Sequence, residues 1–555
     1  MRALYTLSTS LLLLTTHAQW PTSPNAPLVI CNDPSDQRFI GFLPDGSDGW
    51  IALWTDDRVT ALRYSIYGQR IDPQGNLLWE PNGRLLQEVP GRSINFVGAN
   101  RMSNGNLLLA YACGANHQTA DTLRAMAIDV DGAPVWDEPT LLAQPGLLPG
   151  GGTANGHYYP RVTPVLEGVF VGWGTNPIGA ADYVHVARIL NDGTNLMPVQ
   201  GVEVTSLNNS IVTGPWSMRH DLAGGLLFEE RWGNGAGAPL YAMRVNEMGT
   251  QLWPNLLQVS ANSNGLGYEW SSAMAPNARM NSVWGYGYDL RMAVYDTTGV
   301  LLNTNAPIDV CMQAEVQENP FVVQSASEST VFWADNRSSA GNGRQVFMQR
   351  FAADGTPVLA ADGVLAMQCD GNLNGFPRAI VAEDESHIVS MFTGANLSGG
   401  TAGFRVGRVT NTGTNLWSDT TRFCIPTLGP NGGTAYGLAS DGDGGAMSIW
   451  FNWENNAIYA ARLDRWGRMG DFTAIQEPEG NSIIPAYPNP TADRITFSVP
   501  VNERILGIEL MDVRGATVAV PPAERTIATD ALASGLYSAR IRTNSGVHVS
   551  RFVKQ

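Results

Sequence analysis

The residues that could perform acid–base, nucleophilic or metal chemistry are few and widely spaced. Five of the seven histidines lie in the body of the chain, at His117, His157, His185, His220 and His387. No two of them have the spacing of metal ligands, and neither a His-Glu-x-x-His nor a Gly-x-Ser-x-Gly motif occurs. The only lysine, Lys554, is the residue before the last, which excludes a Schiff-base lysine in the body of the chain. We therefore predict no catalytic, cofactor-binding or metal-binding residue.

Acidic residues cluster in three Gly-rich stretches, at 45–49, 129–132 and 441–445. Calcium needs six or more oxygen ligands, and none of these stretches matches the twelve-residue calcium loop with its closing glutamate. Because Asp-Gly is a common hairpin turn, we interpret the stretches as turns. Calcium stays an alternative, with Asp441 and Asp443 as the best candidate ligands.

Glu229 and Glu230 form the only adjacent pair of glutamates. Successive side chains of a strand point to opposite faces, so these two carboxylates cannot form one glycosidase site. We expect both to lie at a solvated turn edge.

Tryptophans are numerous, and 16 of them occur in the sequence. Most fall at repeated strand ends, where packing explains them. Four fall outside that pattern and are the candidates for exposed carbohydrate-stacking platforms: Trp216, Trp232, Trp270 and Trp453.

The composition indicates a β-rich protein with many tight turns. Of the 555 residues only 15% are charged and 60 are glycine, whereas about 25% charged residues and about 7% glycine are usual. The net charge of −16 argues against a nucleic-acid partner, because phosphate binding needs a basic surface.

An internal repeat fills most of the chain. A turn glycine recurs at intervals of 50 to 61 residues, and in six of the eight copies an arginine stands five residues before it. The turn glycines are Gly75, Gly132, Gly193, Gly249, Gly299, Gly355, Gly413 and Gly467. Each copy reads as an alternating strand, a strongly apolar strand, an arginine-bearing strand and a short last strand.

Four-stranded units at this period are typical of β-propeller blades, which bury their apolar faces against their neighbours. The eighth repeat has no convincing fourth strand, and residues 26–31 resemble the fourth-strand segment 306–311. We therefore predict an all-β, eight-bladed β-propeller over residues 19–475, in which residues 27–31 complete the last blade. A seven-bladed ring with one irregular unit is the alternative.

Two short stretches resemble a known class of repeat. Trp-Thr-Asp-Asp-Arg at 54–58 and Trp-Ala-Asp-Asn-Arg at 333–337 are similar to the tryptophan-rich propeller repeats of secreted proteins from Bacteroidota-type bacteria. The resemblance covers about residues 27–472 and supports the fold, but it implies no activity.

The N-terminus reads as a signal peptide over residues 1–18, with a short apolar run and small residues before a cut ahead of Gln19. No other stretch is long and apolar enough to span a membrane, so we predict no transmembrane segment in the mature protein. Five cysteines remain, and their odd number leaves at least one unpaired; their connectivity stays open.

The last residues form a second domain. We predict a linker over 476–482 and a small β-sandwich over 483–555. The motif residues of this segment are Pro488, Asn489, Pro490, Asp512, Gly515, Gly535, Tyr537 and Lys554. In order and spacing they resemble the type A C-terminal sorting domain of the type IX secretion system; a generic β-sandwich module is the alternative.

The resemblance implies that the type IX machinery is the partner of residues 483–555. The mature protein would then be extracellular, either released or attached to the outer-membrane surface. We predict a non-catalytic propeller that binds a glycan or a protein. An extracellular polysaccharide hydrolase or lyase and a structural surface component are the alternatives. Two carboxylates within about 10 Å in a funnel would favour the enzyme, and exposed aromatic side chains would favour binding.

Overall fold

The structure of the 555-residue chain is a computed structural model. The model describes residues 20–23, 26–47, 49–147, 153–177, 183–204, 216–231, 239–260, 270–275, 277–303, 307–325, 328–337, 344–367, 377–382, 384–393, 403–417, 424–426, 436–452, 455–469, 482–500, 503–512, 517–519, 521, 524–544 and 547–555. The predicted signal peptide therefore lies outside the described residues. Within these ranges no helix has the length and apolar character needed to cross a membrane.

The described residues from Gln37 to Leu463 form eight consecutive antiparallel sheets, numbered here in chain order, and strand β1 (Leu28–Cys31) precedes them. Sheet 1 contains β2 (Gln37–Pro44), β3 (Trp50–Thr60), β4 (Arg63–Ile71) and β5 (Arg84–Gln87). Sheet 2 contains β6 (Ser93–Arg101), β7 (Leu107–Gly114), β8 (Thr122–Ile128) and β9 (Thr140–Ala143). Sheet 3 has five strands, β10 (Gly146–Leu147), β11 (Thr153–Val165), β12 (Gly168–Pro177), β13 (Tyr183–Ile189) and β14 (Val202–Glu203). Sheet 4 contains β15 (Trp216–His220), β16 (Leu226–Arg231), β17 (Leu240–Val245) and β18 (Leu257–Gln258).

The second half of the array repeats this order. Sheet 5 contains β19 (Trp270–Met274), β20 (Arg279–Tyr286), β21 (Asp289–Asp296) and β22 (Ile308–Cys311). Sheet 6 contains β23 (Gln317–Gln324), β24 (Ser329–Asp335), β25 (Gln345–Phe351) and β26 (Val364–Met367). Sheet 7 contains β27 (Arg378–Val381), β28 (His387–Thr393), β29 (Gly403–Val409) and β30 (Cys424–Pro426). Sheet 8 contains β31 (Tyr436–Ser440), β32 (Ala446–Asn452) and β33 (Ala457–Leu463), and takes β1 as its outer strand.

The repeated turn glycine has a backbone reason. Gly75 follows β4 with a φ of 85°, a left-handed conformation in which a side chain would be strained. The chain then doubles back, and Ile71 and Leu77 form an antiparallel bridge across the turn. All eight turn glycines have φ between 76° and 90°. The sequence period therefore marks the same hairpin in each sheet.

The second strand of each sheet is the apolar one because neighbouring sheets cover both of its faces. Strand β7 is buried along its whole length, and so are β24 and β32. A strand buried on both faces needs a continuous apolar run rather than an alternating pattern.

Eight hydrophobic clusters join the sheets into a ring. Each cluster combines buried side chains of two consecutive sheets, and one of them joins sheet 8 to sheet 1. In this last cluster Trp50 and Trp54 of sheet 1 pack with Met447 and Ile449 of sheet 8. The array is therefore a closed, eight-bladed β-propeller, as predicted, and not a seven-bladed ring.

The N-terminal segment closes the ring at two points. In β1, Leu28 pairs with Ala460 and Val29 pairs with Tyr459, antiparallel to β33. Trp20 packs against Gly75 in sheet 1, and its Nε1 donates a hydrogen bond to the Pro73 carbonyl oxygen at 2.9 Å. We call the described residues 20–23 and 26–31 the clasp.

Trp20 repeats a contact that recurs inside the array. Trp253 donates from Nε1 to the carbonyl oxygen of Thr297, two residues before the next turn glycine, at 3.0 Å. Trp417 does the same with Arg465 at 2.8 Å. The clasp therefore supplies both the outer strand and the tryptophan that an eighth complete repeat would have supplied.

The second compact unit comprises residues 471–555, so the division falls five residues before the predicted boundary. Its five-stranded sheet has the order β34 (Ser482–Ile483), β41 (Val547–Lys554), β40 (Gly535–Thr543), β37 (Ile505–Met511) and β38 (Thr517–Ala519). Its three-stranded sheet consists of β35 (Ala486–Tyr487), β36 (Arg494–Phe497) and β39 (Thr526–Ala528). The two sheets enclose one apolar core, as expected for a small β-sandwich. Ser482, which we had assigned to the linker, belongs to β34 because it pairs with His548.

Candidate functional site

One strand of each sheet lies at the axis of the propeller; it is the first strand in every sheet except sheet 3, where the short β10 precedes it. These eight inner strands are β2, β6, β11, β15, β19, β23, β27 and β31, and most of them contact the inner strands of the neighbouring sheets around a closed circle. Between sheets 4 and 5 the connection is a hydrogen bond from Arg219 to the Ser272 carbonyl oxygen. A Cβ atom built on Gly41 of β2 would meet no other atom within 4 Å, so there is open space beside this inner strand at Gly41. This central channel is where propeller side chains from several sheets can meet.

A β-bulge redirects the side chains of β11. The pairing with β12 shifts between Tyr158 and Arg161, and Tyr159 within the bulge has a φ of 52°. A non-glycine residue in this region is uncommon, and bulges are frequent where a strand must aim a side chain at a site. The result is a tyrosine ring that is 60% exposed on an innermost strand.

Tyr159 belongs to an aromatic cluster that spans two sheets. Its ring centroid lies 4.9 Å from that of Phe96 on β6, and the Tyr158 centroid lies 5.4 Å from the same ring. Both contacts are edge-to-face, an arrangement that the ring quadrupoles favour. The cluster holds Tyr159 in place while leaving most of its surface open to a ligand.

Two arginines follow the aromatic cluster on adjacent inner strands. Arg161 on β11 and Arg219 on β15 are both accessible to water. Protein nevertheless surrounds them closely, because desolvation lowers the pKa of each guanidinium, and the charge of Arg219 lowers the pKa of Arg161 further. The hydrogen bond from Arg219 Nη2 to the Ser272 carbonyl oxygen, at 2.8 Å, orients its guanidinium. Two like charges therefore lie near one another on neighbouring inner strands.

Behind the arginines lies a buried polar cluster between sheets 4 and 5. Glu229 is fully buried and accepts hydrogen bonds from Tyr295 at 2.6 Å, from Ser217 at 3.1 Å and from Ser282. Burial and the Glu229 carboxylate together raise the pKa of Tyr295 well above its usual range. Because both groups are fully buried and bonded to each other, the cluster supports the packing of sheets 4 and 5 rather than reacting with a ligand.

This cluster corrects the expectation for the glutamate pair. Glu229 and Glu230 are buried rather than placed at a solvated turn edge. The reason is that β16 is the second strand of its sheet, and sheet 5 covers the end of this strand as well as its middle. Serine and tyrosine hydroxyls from the neighbouring strands provide the hydrogen bonds that make a buried carboxylate tolerable.

The candidate calcium ligands are engaged with arginine. Asp441 accepts backbone hydrogen bonds from Asp443 and Gly445, and its other oxygen lies 3.0 Å from Arg462 Nη2. Asp443 lies 3.0 Å from Arg465. In the same way Asp45 pairs with Arg70 at 2.7 Å. These contacts give the acidic turns of sheets 1 and 8 a structural role.

Of the four candidate tryptophans, the structure describes the side chain of Trp270 alone. Trp232 and Trp453 and the side chain of Trp216 lie outside the described residues. Trp270 is half-buried against the core between sheets 4 and 5, so it is a packing residue rather than an open platform.

Three histidines are buried and neutral: His157, His185 and His387. Burial lowers the pKa of each to about 4. His157 lies 3.3 Å from the Thr175 hydroxyl, and His185 stacks on Trp173. At neutral pH these imidazoles are core residues, and we call them the buried histidines.

In the C-terminal unit the motif residues gather around β40 and β41. Asn489 accepts a hydrogen bond from the Val553 backbone N–H at 2.8 Å and donates one to the Arg551 carbonyl oxygen at 3.1 Å. Its amide thus pairs with the edge of β41 as a backbone group would. Pro488 and Pro490, which flank it, connect β35 to β36.

The remaining motif residues divide between described and undescribed positions. Asp512 directly follows β37, and Gly515 lies outside the described residues. Gly535 begins β40, and Lys554 ends β41. Tyr537 stacks on Phe552 with a centroid distance of 5.7 Å and donates from its hydroxyl to the Ala533 carbonyl oxygen. The motif therefore marks the pairing of the last strand with the rest of the domain.

The sequence does not predict a site at Tyr159, Arg161 and Arg219. A bulge cannot be read from a single sequence, so the exposure of Tyr159 was not apparent. Arginine on an inner strand was no guide either, because β2, β6 and β27 also carry one.

Comparisons with known proteins agree with this division of the chain. Residues 485–555 match a family model described as a secretion system C-terminal sorting domain. The protein is therefore an exported protein with a type IX sorting domain, and its place is extracellular or at the cell surface. A comparison with curated proteins finds no match.

Several solved structures resemble the chain distantly. A prolyl endopeptidase has 13% identity and a TM-score of 0.39, with 77% of this chain and 55% of that chain covered, so this chain spans about half its length. The BP39L lectin from Burkholderia pseudomallei has 11% identity and a TM-score of 0.39, with 68% and 98% covered. A GH43_1 enzyme from Xanthomonas citri, complexed with xylotriose, has 13% identity and a TM-score of 0.26, with 49% and 92% covered. None of them transfers an activity or a ligand to this protein.

Proposed function

We propose that the propeller is a non-catalytic, secreted glycan-binding module whose site is the channel wall formed by Tyr159, Arg161 and Arg219. The observation that carries the proposal is that an exposed aromatic ring and two accessible guanidinium groups lie on the neighbouring inner strands β11 and β15. The C–H face of a sugar ring packs on an aromatic ring, and guanidinium groups supply several hydrogen-bond donors for its oxygens.

The geometry supports binding over catalysis at this site. The Glu229 carboxylate and the Tyr295 phenol, between sheets 4 and 5, bond to each other and are fully buried. A general acid or base must come within hydrogen-bonding distance of its substrate, which these two groups do not. The groups that face the channel are suited to recognition.

A glycan-array screen of the mature chain tests the proposal, followed by titration calorimetry and product analysis of each hit. Replacing Tyr159 by alanine should weaken binding of a hit by about tenfold or more, the equivalent of about 1.4 kcal/mol. Tyr288→Ala is the matched control, because Tyr288 is 58% exposed in the hairpin between β20 and β21. The control should bind as the unmodified chain does.

Two results would overturn the proposal. One is a chain that binds no glycan on the array. The other is a hit recovered as cleaved product, which would make the protein an enzyme.

A further inference from the structure

The arginine that stands five residues before the turn glycine makes the same contact in five sheets. Its guanidinium pairs with a carboxylate in the turn that follows the inner strand of its own sheet. In four of these sheets its Nη1 also donates to a backbone carbonyl oxygen of the next sheet, at 3.0 Å. The five pairs are Arg70–Asp45, Arg244–Asp221, Arg350–Glu328, Arg408–Asp384 and Arg462–Asp441.

The sixth arginine of this set, Arg188 on β13 of sheet 3, lacks both contacts. Only Leu166 and Glu167 separate β11 from β12, whereas five residues separate β2 from β3 in sheet 1. The Arg188 side chain is almost fully buried, with 6% exposure. Its Nε and Nη1 atoms are buried and have no hydrogen-bond partner among the described residues. The short turn therefore leaves two buried donors unused.

The backbone amide of this turn has found another acceptor. In sheet 1 the Gly49 N–H donates to Asp45 at 2.9 Å. The corresponding Gly168 N–H in sheet 3 donates to the Ser103 hydroxyl of sheet 2 at 3.3 Å. Of the donors that a turn carboxylate would have satisfied, the guanidinium is the one left without an acceptor in the described part of the chain.

Nearby side chains act on the charge of Arg188 but do not accept its hydrogen bonds. The Phe170 ring centroid lies 5.1 Å from Cζ, and the charges of Glu167 and Glu247 attract the guanidinium from a distance. Desolvation outweighs this attraction and lowers the pKa of Arg188. A buried charge without hydrogen bonds is costly, so an anion that accepts them from Nε and Nη1 gains affinity.

We propose that Arg188 binds a carboxylate from outside the propeller, in the position that the turn aspartate or glutamate occupies in the five other sheets. A carboxylate fits because its two oxygens match the planar fork of guanidinium donors, as the turn carboxylates of the other sheets do. The site is reached from the surface, since Leu166 in the adjoining turn is 83% exposed. The proposal uses none of the residues of the glycan site and is independent of it.

The test uses acetate and the mature chain, at an ionic strength held constant with sodium chloride. Saturation-transfer difference NMR of the acetate methyl group, followed through a titration, gives the affinity. Arg188→Met should weaken acetate binding by about tenfold or more, because two charge-assisted hydrogen bonds are lost. N-acetylaspartate N-methylamide, titrated in the same way, carries the carboxylate on an amino-acid side chain and separates an acidic polypeptide from a free acid as the source.

Arg244→Met is the matched control, because Arg244 holds the same position in sheet 4 and pairs with Asp221 at 2.7 Å. It should leave acetate binding unchanged. The two variants should also shift the melting temperature in acetate-free buffer in opposite directions. Arg188→Met should raise it, since an apolar side chain replaces a buried charge without hydrogen bonds. Arg244→Met should lower it, since the buried Asp221 carboxylate loses its guanidinium.

Three results would overturn the proposal. One is acetate binding that is absent or that Arg188→Met does not weaken. Another is a fall in the melting temperature of Arg188→Met as large as that of Arg244→Met, which would show that the guanidinium is bonded within the chain. The third is tighter binding of inorganic phosphate than of acetate. Binding of both carboxylate probes would support an acidic side chain as the ligand, and binding of acetate alone would support a small free acid.

Discussion

Replacing Trp20 by alanine tests whether the clasp holds the ring closed. The Trp20 side chain is 1% exposed, and its Nε1 donates to the Pro73 carbonyl oxygen at 2.9 Å. At such sites the loss of burial and the cavity left behind cost ~3–5 kcal/mol. We therefore expect Trp20→Ala to lower the free energy of unfolding of the propeller by about 4 kcal/mol.

Trp417 offers a matched control inside the array. Its ring is 2% exposed, and its Nε1 donates to the Arg465 carbonyl oxygen at 2.8 Å. A terminal segment can detach without unfolding a sheet, so the cost of Trp20→Ala cannot exceed the free energy that holds the clasp in place. If Trp20→Ala and Trp417→Ala lower the free energy of unfolding by the same amount, within about 1 kcal/mol, the clasp is held as firmly as an internal interface.

Urea unfolding of the mature chain, followed by circular dichroism, gives both losses from the midpoint and the slope of the transition. The reasoning would be refuted if Trp20→Ala cost less than about 1 kcal/mol while Trp417→Ala cost ~3 kcal/mol or more. In that case the ring would stay closed through the contacts between sheets 1 and 8 alone.

Four further predictions follow from contacts described above. The buried histidines bind a proton near pH 6.5 in the unfolded chain and near pH 4 in the folded chain. The free energy of unfolding should therefore fall as the pH drops through this window, by up to roughly 3 kcal/mol per histidine. A melting temperature that stays constant from pH 7 to pH 4 would contradict this. Glu229→Ala removes the acceptor of the buried Tyr295 and Ser282 hydroxyls and of the half-buried Ser217 hydroxyl, and it should cost ~3 kcal/mol. Glu229→Gln keeps an acceptor oxygen and should cost less in the same urea assay. Burial raises the pKa of Cys311 to about 12, so iodoacetamide at pH 8 should label it only after unfolding, and labelling of the native chain would disprove its burial. Asn489→Ala removes two hydrogen bonds to β41 and should destabilise the C-terminal domain by ~1–3 kcal/mol, measured on its own unfolding transition; an unchanged transition would count against this role.

The repeat made the architecture predictable from the sequence. The turn glycines needed a left-handed backbone at a fixed place in each sheet, so their period counted the sheets correctly. The likeness of residues 26–31 to 306–311 pointed to the strand that pairs with β33. The contact of Trp20 was not predicted because this residue lies before the first repeat. Only the fold shows that Trp20 occupies the place of Trp253 and Trp417.

The site was less predictable because it depends on irregularities and on neighbours that are distant in sequence. Tyr159 is exposed owing to a bulge, and a one-residue shift in pairing leaves no mark in the hydrophobic pattern. Glu229 was misplaced because its partner Tyr295 lies 66 positions away on the next sheet. Polar residues that hydrogen-bond to each other across an interface resemble solvent-exposed residues when each is considered alone.

The clasp also determines the order in which the molecule can be completed. Leu28 pairs with Ala460, so the first strand of the chain must wait for almost the whole propeller before it finds its partner. Contacts of such sequence separation form slowly, because the intervening loop must be closed first. Each sheet can pack on the preceding one as the chain lengthens, but sheets 1 and 8 keep an apolar face open until the two ends meet. We expect the joining of the ends to be the last step of folding, and the stage at which an exported chain most needs protection from aggregation.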